Sequence, residues 1–338
     1  YQILGVKFDT YDGESSFAKD SKLLINELKE KGIARESEGA LIINLDKFNL
    51  PPALIQRTDG ATLYLTRDIA ALKYRIREYK PEKILYVVGN EQSLHFEQLA
   101  AIAKILNLEI FKHLNTPMVH VKFGLILGED KKKLSSRLGK AAPMKDLINE
   151  AIKLARKAVE EKNPELSADE KAEVAKHVGV GAFKYFVLKE HRLSDIVFDW
   201  GKMLDLKGSS GPYLQYTFAR LAGIKSKAEP VLLNFKIFKY LNIETLKFLN
   251  SEAELSLAKK LYKFPEAVLA AAESNLPNIL ALYLYELCNL ANKFYESSPD
   301  LQEEDETVRN ARLGLVELTI RVLEKGLGLL GMEAPERI

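Results

Sequence analysis

A chain of 338 residues, 47% of them hydrophobic, is long enough for two domains that each bury a sizeable core. Its 49 lysines and arginines against 47 aspartates and glutamates leave a net charge of +2, which excludes a uniformly basic coat and requires that any polyanion be met by local patches. The single cysteine, Cys288, excludes an intrachain disulfide and a thiolate metal cage, so no metal site is expected and a reducing compartment fits.

No run of about 18 apolar residues offers a membrane span and no secretory leader opens the chain, so the expectation is a soluble, cytoplasmic protein. The first residue is Tyr1 instead of methionine, in sequence that reads as ordered, which suggests a piece of a longer protein. Val6-Lys7-Phe8-Asp9 reads as a strand, about Ser15 to Lys31 as an amphipathic helix with Gly32 at its C-terminal cap, and Ala40 to Leu45 as a strand. Nothing there is chemically pointed, and the segment reads as scaffold.

Thr62 to Thr66 alternates as a strand, and Arg67-Asp68-Ile69-Ala70-Ala71-Leu72-Lys73-Tyr74 opens a helix with Thr66 placed to cap it. That spacing sets Tyr64 and Asp68 near the carboxyl end of a strand, the edge where open α/β sheets bind ligands. Lys83 to Val88 is nearly all apolar, as a strand covered on both faces should be. Gly89-Asn90-Glu91-Gln92 follows as a loop, Ser93 to Leu106 repeats apolar residues at helical spacing, and Met118 to Leu127 gives a further strand. The pattern is half of a doubly wound sheet. Taken singly, Asp68 reads equally as an acid at a helix's positive end, Tyr64 as a half-buried tyrosine and Gln92 as loop surface.

Gly128-Glu129-Asp130 then supplies a turn, and Lys131-Lys132-Lys133-Leu134-Ser135-Ser136-Arg137-Leu138-Gly139-Lys140 packs five cations, two hydroxyls and a glycine into ten residues. Lysine ammonium groups, an arginine fork and serine hydroxyls suit phosphate oxygens, so the stretch reads as a mobile anion clamp, or as a solvated charge cluster at a loop tip. Pro143 suits the first position of a helix from Met144 to about Lys162. Further helices are expected over Ala168 to Val178 and Gly181 to Lys189. Asp195 to Trp200 leads through Leu204 to Lys207-Gly208-Ser209-Ser210-Gly211-Pro212, a turn cluster taken as the junction between domains 1–207 and 208–338.

Beyond it Tyr213, Tyr216 and Arg220 share one helix face at i, i+3 and i+7, beside an apolar face of Leu214, Phe218 and Leu221. Two rings and a guanidinium suit unpaired bases and phosphate, and equally the edge of a core. Helices over Glu252 to Tyr262, Pro265 to Glu273, Pro277 to Tyr295 and about Thr307 to Leu330, joined by linkers such as Ser297-Ser298-Pro299-Asp300, complete a bundle.

Lys133-Leu134-Ser135-Ser136-Arg137 resembles the Lys-Met-Ser-Lys-Ser loop of class I aminoacyl-tRNA synthetases, in the Lys-Met-Ser-Thr-Arg form of the arginyl enzymes. The Tyr64-to-Ala70 stretch resembles their Tyr-x-Thr-Arg-Asp-Ile-Ala element, and Gly89 to Gln92 their Gly-x-Glu/Asp-Gln turn. Gly211 to Arg220 resembles the Gly-Pro-Tyr-Leu-Gln-Tyr-x-x-x-Arg that opens their helical anticodon-binding domain; Asn292-Lys293-Phe294-Tyr295 and the ending Gly331 to Ile338 also match, so the resemblance covers essentially the whole chain. Ser136 departs from the wider class by standing at the second lysine of the loop.

The resemblance implies an α/β part followed by an all-α part: a partial doubly wound class I nucleotide-binding fold, then a helical-bundle anticodon-binding domain. It implies arginine at Tyr64, Asp68 and Gln92, where a carboxylate can accept two parallel hydrogen bonds from a guanidinium. ATP, with Mg2+, is implied as a substrate at Gly89, Glu91, His95, Phe123, Gly124, Lys132, Lys133 and Lys140, with adenine against the backbone of His120 to Ile126 and Gly124 permitting the approach. Lys133, Ser135, Ser136 and Arg137 are the implied catalytic loop. Tyr213, Gln215, Tyr216, Arg220, Asn292 and Tyr295 are the implied tRNA contacts.

The implied reaction joins arginine to ATP as arginyl-adenylate and transfers arginine to tRNA(Arg), in a monomer. The rival readings are another class I synthetase and a non-catalytic tRNA-binding or interaction protein. The family's His-x-Gly-His element finds no match at His95, His113, His120, His177 or His191, nor is its N-terminal domain present, so these residues alone are expected not to make the adenylate.

Overall fold

A computed structural model describes residues 1–108, 118–128, 144–232, 247–297 and 305–338. The chain forms two compact units, one of Lys7–Gly124 and one of Tyr1–Val6 with Leu125–Ile338.

The expected strand at Val6 to Asp9 is not formed: these residues are exposed and join no sheet among the described residues, and without a ladder a strand is not held. A short 3-10 turn, Glu14–Phe17, feeds α1 (Ala18–Glu30), which buries Leu24, Ile25 and Leu28. Gly32, at φ +63°, ends it as expected, with the Ile33 amide returning to the Leu28 carbonyl at 3.0 Å. An antiparallel sheet follows in the order β1 (Ala34–Ser37), β2 (Ala40–Ile43), β3 (Ala53–Gln56), of which only β2 was expected. Glu38 and Gly39, both at positive φ, make the two-residue hairpin between β1 and β2.

The expected strand at Thr62 to Thr66 is instead the start of a helix, α2 (Tyr64–Tyr79). Leu65, Ile69 and Leu72 fall one and two turns apart and are all buried, so helical period decides over the local alternation. Thr66 does not cap; it is fully buried in the first turn and donates its hydroxyl to the Ile55 carbonyl of β3.

β4 (Ile84–Gly89) and β5 (Met118–Phe123) pair in parallel, Ile84 opposite Met118 and Gly89 opposite Phe123, and α3 (Ser93–Ile105) lies between them in sequence. Ile84, Tyr86 and Val88 pack toward the core with Ile69, Leu72, Leu99 and Ile102 of α2 and α3. On the other face of β4, Leu85 is 47% and Val87 66% exposed, so among the described residues the expected double covering is not complete there. The long strand expected over Met118 to Leu127 breaks at Gly124-Leu125. Beyond the break β6 (Ile126–Leu127) belongs to the other unit, where it pairs in parallel with β7 (Ile196–Val197).

In that unit α4 (Met144–Lys162) runs as expected, and α5 (Ala168–Leu188) opens on a capping box in which Ser167 and Glu170 satisfy each other's backbone amides. α5 is one helix where two were expected. Gly179 and Gly181 do not break it; a Cβ at Gly179 would lie 2.6 Å from the Ile152 Cα of α4, so the glycine allows two backbones to approach.

Asp199 caps α6 (Trp200–Leu204), and Ile148, Phe183, Phe186, Phe198 and Met203 form a small core. α7 (Gly211–Leu232), α8 (Glu252–Tyr262), α9 (Phe264–Ser274), α10 (Pro277–Ser297) and α11 (Glu306–Leu329) follow the expected bundle closely. Their shared core holds Leu214, Phe218, Leu221, Leu284, Leu287, Phe294 and Leu323. Among the described residues no helix is long and apolar enough to cross a membrane.

Candidate functional site

The first site is a rim on the Lys7–Gly124 unit, where the carboxyl ends of β4 and β5 meet the first turns of α2 and α3. Tyr64 and Asp68 sit one turn apart on α2, which places them on the same helix face. Asp68 Oδ2 lies 2.6 Å from His95 Nε2, with the aspartate side chain 31% and the imidazole 23% exposed. The carboxylate is thus half-buried instead of enclosed, and His95 is turned onto Asp68. Tyr64 is 67% exposed, with the Arg67 guanidinium 6.0 Å from its ring centre and Arg67 paired to Glu14 at 3.1 Å. Gln92 ends a 3-10 turn, Asn90–Gln92, and is exposed.

A Cβ at Gly89 would come within 2.6 Å of Glu91 Oε2, so the glycine leaves the room into which that carboxylate folds. Behind them the Phe96 ring stacks 4.4 Å from His120, whose Nε2 lies 3.0 Å from the Val88 carbonyl. Lys122, opposite Val88 on β5, donates from Nζ to Ser93 Oγ at 3.4 Å. Sequence reasoning passed over this cation at the rim; the alternation of β5, with His120 and Lys122 on one face, was the signal for it. Phe123 is 44% exposed at the end of β5, and Gly124 stands at the strand break instead of inside a strand. Lys132, Lys133, Ser135, Ser136, Arg137 and Lys140 lie outside the described residues, as do Pro143 and the Ser298-Pro299-Asp300 linker.

A second cluster forms in the other unit, between α7 and α10. Tyr213 donates its hydroxyl to Asn289 Oδ1 at 2.7 Å, and Asn292 Nδ2 donates to Tyr213 Oη at 3.0 Å and Thr217 Oγ1 at 3.1 Å. Arg220 Nη1 donates to Asn292 Oδ1 at 2.9 Å, while its guanidinium lies 5.0 Å from the Tyr216 ring centre and 5.5 Å from that of Tyr295. Burial raises the Tyr213 phenol above its ordinary value; the hydrogen bond and charge of Arg220 lower that of Tyr216. Five of the six expected residues therefore converge.

Gln215 does not join them. Its side chain is fully buried and donates to the carbonyls of His177 at 3.1 Å and Glu333 at 2.8 Å, so it ties α7 to α5 and the C-terminal tail instead of facing a ligand. On a helix its neighbours Tyr213 and Tyr216 point elsewhere, a distinction the motif hides and the periodicity contains.

The family model described as tRNA synthetases class I (R), catalytic domain, matches residues 1–200, and the DALR anticodon binding domain matches residues 214–338. Arginine–tRNA ligases of Halothermothrix orenii, Clostridium botulinum and Lactococcus lactis are 38%, 40% and 41% identical over the whole chain, which spans 57% of the length of each. Among solved structures the chain is similar throughout to the arginyl-tRNA synthetases of Plasmodium falciparum (TM-score 0.83, 26% identity, 56% of that chain) and Thermus thermophilus (TM-score 0.84, 25% identity, 61% of that chain). With the first model matched over well over half its residues, the chain belongs to the class I (R) tRNA synthetases, its catalytic-domain sequence followed by a DALR anticodon binding domain.

Proposed function

We propose that this chain serves an arginine–tRNA ligase, binding arginine on the rim at Tyr64, Asp68 and Gln92, ATP beside it, and tRNA(Arg) through the Tyr213–Tyr295 cluster. The observation that carries the arginine assignment is the Asp68 carboxylate standing half-buried on the first turns of α2, held by His95. A carboxylate fixed in that way accepts two parallel hydrogen bonds from a guanidinium, whereas the ammonium of lysine offers a point charge without the fork. Gly89 and Glu91 supply a turn suited to the ribose, Phe123 and Gly124 an edge for adenine, and Lys133, Ser135, Ser136 and Arg137 donors for the phosphates.

The reaction needs no covalent nucleophile from the protein. The arginine carboxylate attacks the α-phosphorus of ATP and pyrophosphate leaves; the terminal ribose hydroxyl of tRNA then attacks the arginyl carbonyl of the adenylate, forming the ester as AMP leaves and the hydroxyl proton is lost. The protein contributes positioning and charge stabilisation. Within the whole ligase, residues 1–207 contribute to activation and residues 208–338 take the anticodon end, in a cytoplasmic monomer.

Calorimetric titration with arginine and lysine tests the pocket: arginine is expected to saturate with lysine at least about a hundredfold weaker, the scale of losing one charged bidentate contact. Equal heats from the two amino acids would reassign the rim to a different amino acid of the same class of enzymes.

A further inference from the structure

Lys162 ends α4, on the part of the chain matched by the catalytic-domain family and outside the 214–338 anticodon-domain match. A lysine in the last turn ordinarily serves its own helix, near the free carbonyls. Here the Nζ is carried across to α7 and lies 5.1 Å from the centre of the Tyr216 ring, the same ring that holds the Arg220 guanidinium at 5.0 Å. Two cations thus share one aromatic support. Like charges brought together cost energy in a protein that has no need of them there, and the ring quadrupole offsets only part of that cost.

Among the described residues no carboxylate lies in ion-pair range of Lys162 or Arg220, although acids flank Lys162 in sequence; Glu160 is taken by Arg156 at 2.9 Å. Arg220 spends one N–H on Asn292, which fixes the guanidinium, and Asn292 is itself fixed by Tyr213 and Thr217. Among the described residues the result is a guanidinium held by Asn292 beside an exposed lysine, neither with an acid partner. With cations 5.0 and 5.1 Å from its centre, the Tyr216 ring already engages charge with part of its π surface.

We propose that Lys162 and Arg220 form a phosphate-binding pair seated on Tyr216, which takes the RNA backbone and brings α4 into the nucleic-acid interface. The inference rests on the reading of the Tyr213–Tyr295 cluster as a tRNA-binding surface and adds to it a residue and a role: Tyr216 holds charge for phosphate instead of stacking a base. Its contribution is sequence-independent and paid back by counterion release, so it is read in the salt dependence.

Filter binding of a transcribed tRNA(Arg), titrated from about 50 to 200 mM salt, decides it. Lys162→Ala is expected to weaken binding several-fold at the low-salt end and to reduce the magnitude of the log–log salt slope by about 0.7–0.9, the value of one phosphate contact. Lys162→Arg should restore the slope, and the thermal midpoint of Lys162→Ala should match the parent chain. An unchanged slope in Lys162→Ala, with or without a lowered thermal midpoint, would return Lys162 to a packing role and leave the cluster's tRNA reading intact. Failure of the unmodified chain to bind the transcript even at the low-salt end would overturn both.

Discussion

Asp68 and His95 act on one another before either acts on a ligand. A carboxylate with one oxygen engaged by an imidazole at 2.6 Å is oriented, and its other acceptor sites are left for a ligand. Asp68→Asn removes the charge and replaces one acceptor by a donor, and is expected to weaken arginine by over a hundredfold, about 3 kcal/mol, in calorimetric titration. His95→Ala keeps the charge and frees the side chain to rotate. Its expected cost is about 1–2 kcal/mol, roughly five- to thirtyfold in arginine affinity measured without ATP. The two roles available to His95 separate in that experiment, because an imidazole that served only the nucleotide would leave arginine binding without ATP unchanged.

At the scale of elements, glycine has opposite meanings at two helical positions. Gly179 faces the backbone of Ile152, and a methyl there would meet the Ile152 nitrogen at 2.7 Å, whereas a methyl at Gly223 of α7 meets nothing within 4 Å. Alanine gains about 1 kcal/mol of helix propensity at either place. At Gly179 the intruding methyl must move main chain, and overpacking costs about 1–3 kcal/mol, with the stiff neighbour favouring the upper end. Thermal unfolding should therefore show Gly179→Ala lowering the midpoint and Gly223→Ala raising it.

The same glycines mark what the sequence could convey. A glycine pair in an apolar run reads as a break when no neighbour is known, and only the approach of α4 shows why α5 continues through it. Period was legible wherever one side of a long helix is buried, as in α4, α8 and α10. It failed at Thr62 to Thr66, where a five-residue window alternates by chance and Leu65, Ile69 and Leu72 need a longer one to declare a helix. β1 and β3 were missed for another reason: Ala34–Ser37 is mostly polar because its side chains lie exposed, and β3 stands directly behind Pro51-Pro52, which speaks locally for a loop. Motifs singled out Asp68, which lies beside His95, and Arg220, which lies against Tyr216 and Tyr295. They could not tell that Gln215, inside the same motif, is turned into the core.

For the molecule as a whole, the largest described core is the helical bundle, and two buried carboxylates tie its helices together. Glu254 of α8 accepts the Arg312 guanidinium of α11 at 2.7 Å and the amides of Asn250 and Ser251, both at 2.8 Å. Glu317 of α11 meets Arg321 at 2.8 Å and Lys225 of α7 at 3.1 Å. Burial by itself pushes both carboxyls up. For Glu254 the backbone hydrogen bonds and Arg312 outweigh it, for Glu317 Arg321 and Lys225 do, and both end below the ordinary 4.5. Groups whose folded value is depressed contribute stability that is present above the unfolded value, near 4.5, and that is lost as pH falls through the folded value. The bundle is therefore expected to hold a level stability toward neutral pH and to weaken as pH falls below about 4.5, with both acids taking up protons on unfolding. Urea unfolding followed by circular dichroism across that range measures it. Glu254→Gln should shallow the acid slope, since a glutamine binds no proton in either state. It should also lower stability at neutral pH, because Arg312, with its side chain 17% exposed, loses the charge it faces. If the variant kept the parent slope below pH 4.5, the acid sensitivity would have to arise from other carboxylates, and the Glu254 link between α8 and α11 would be a contact without a share in the pH dependence.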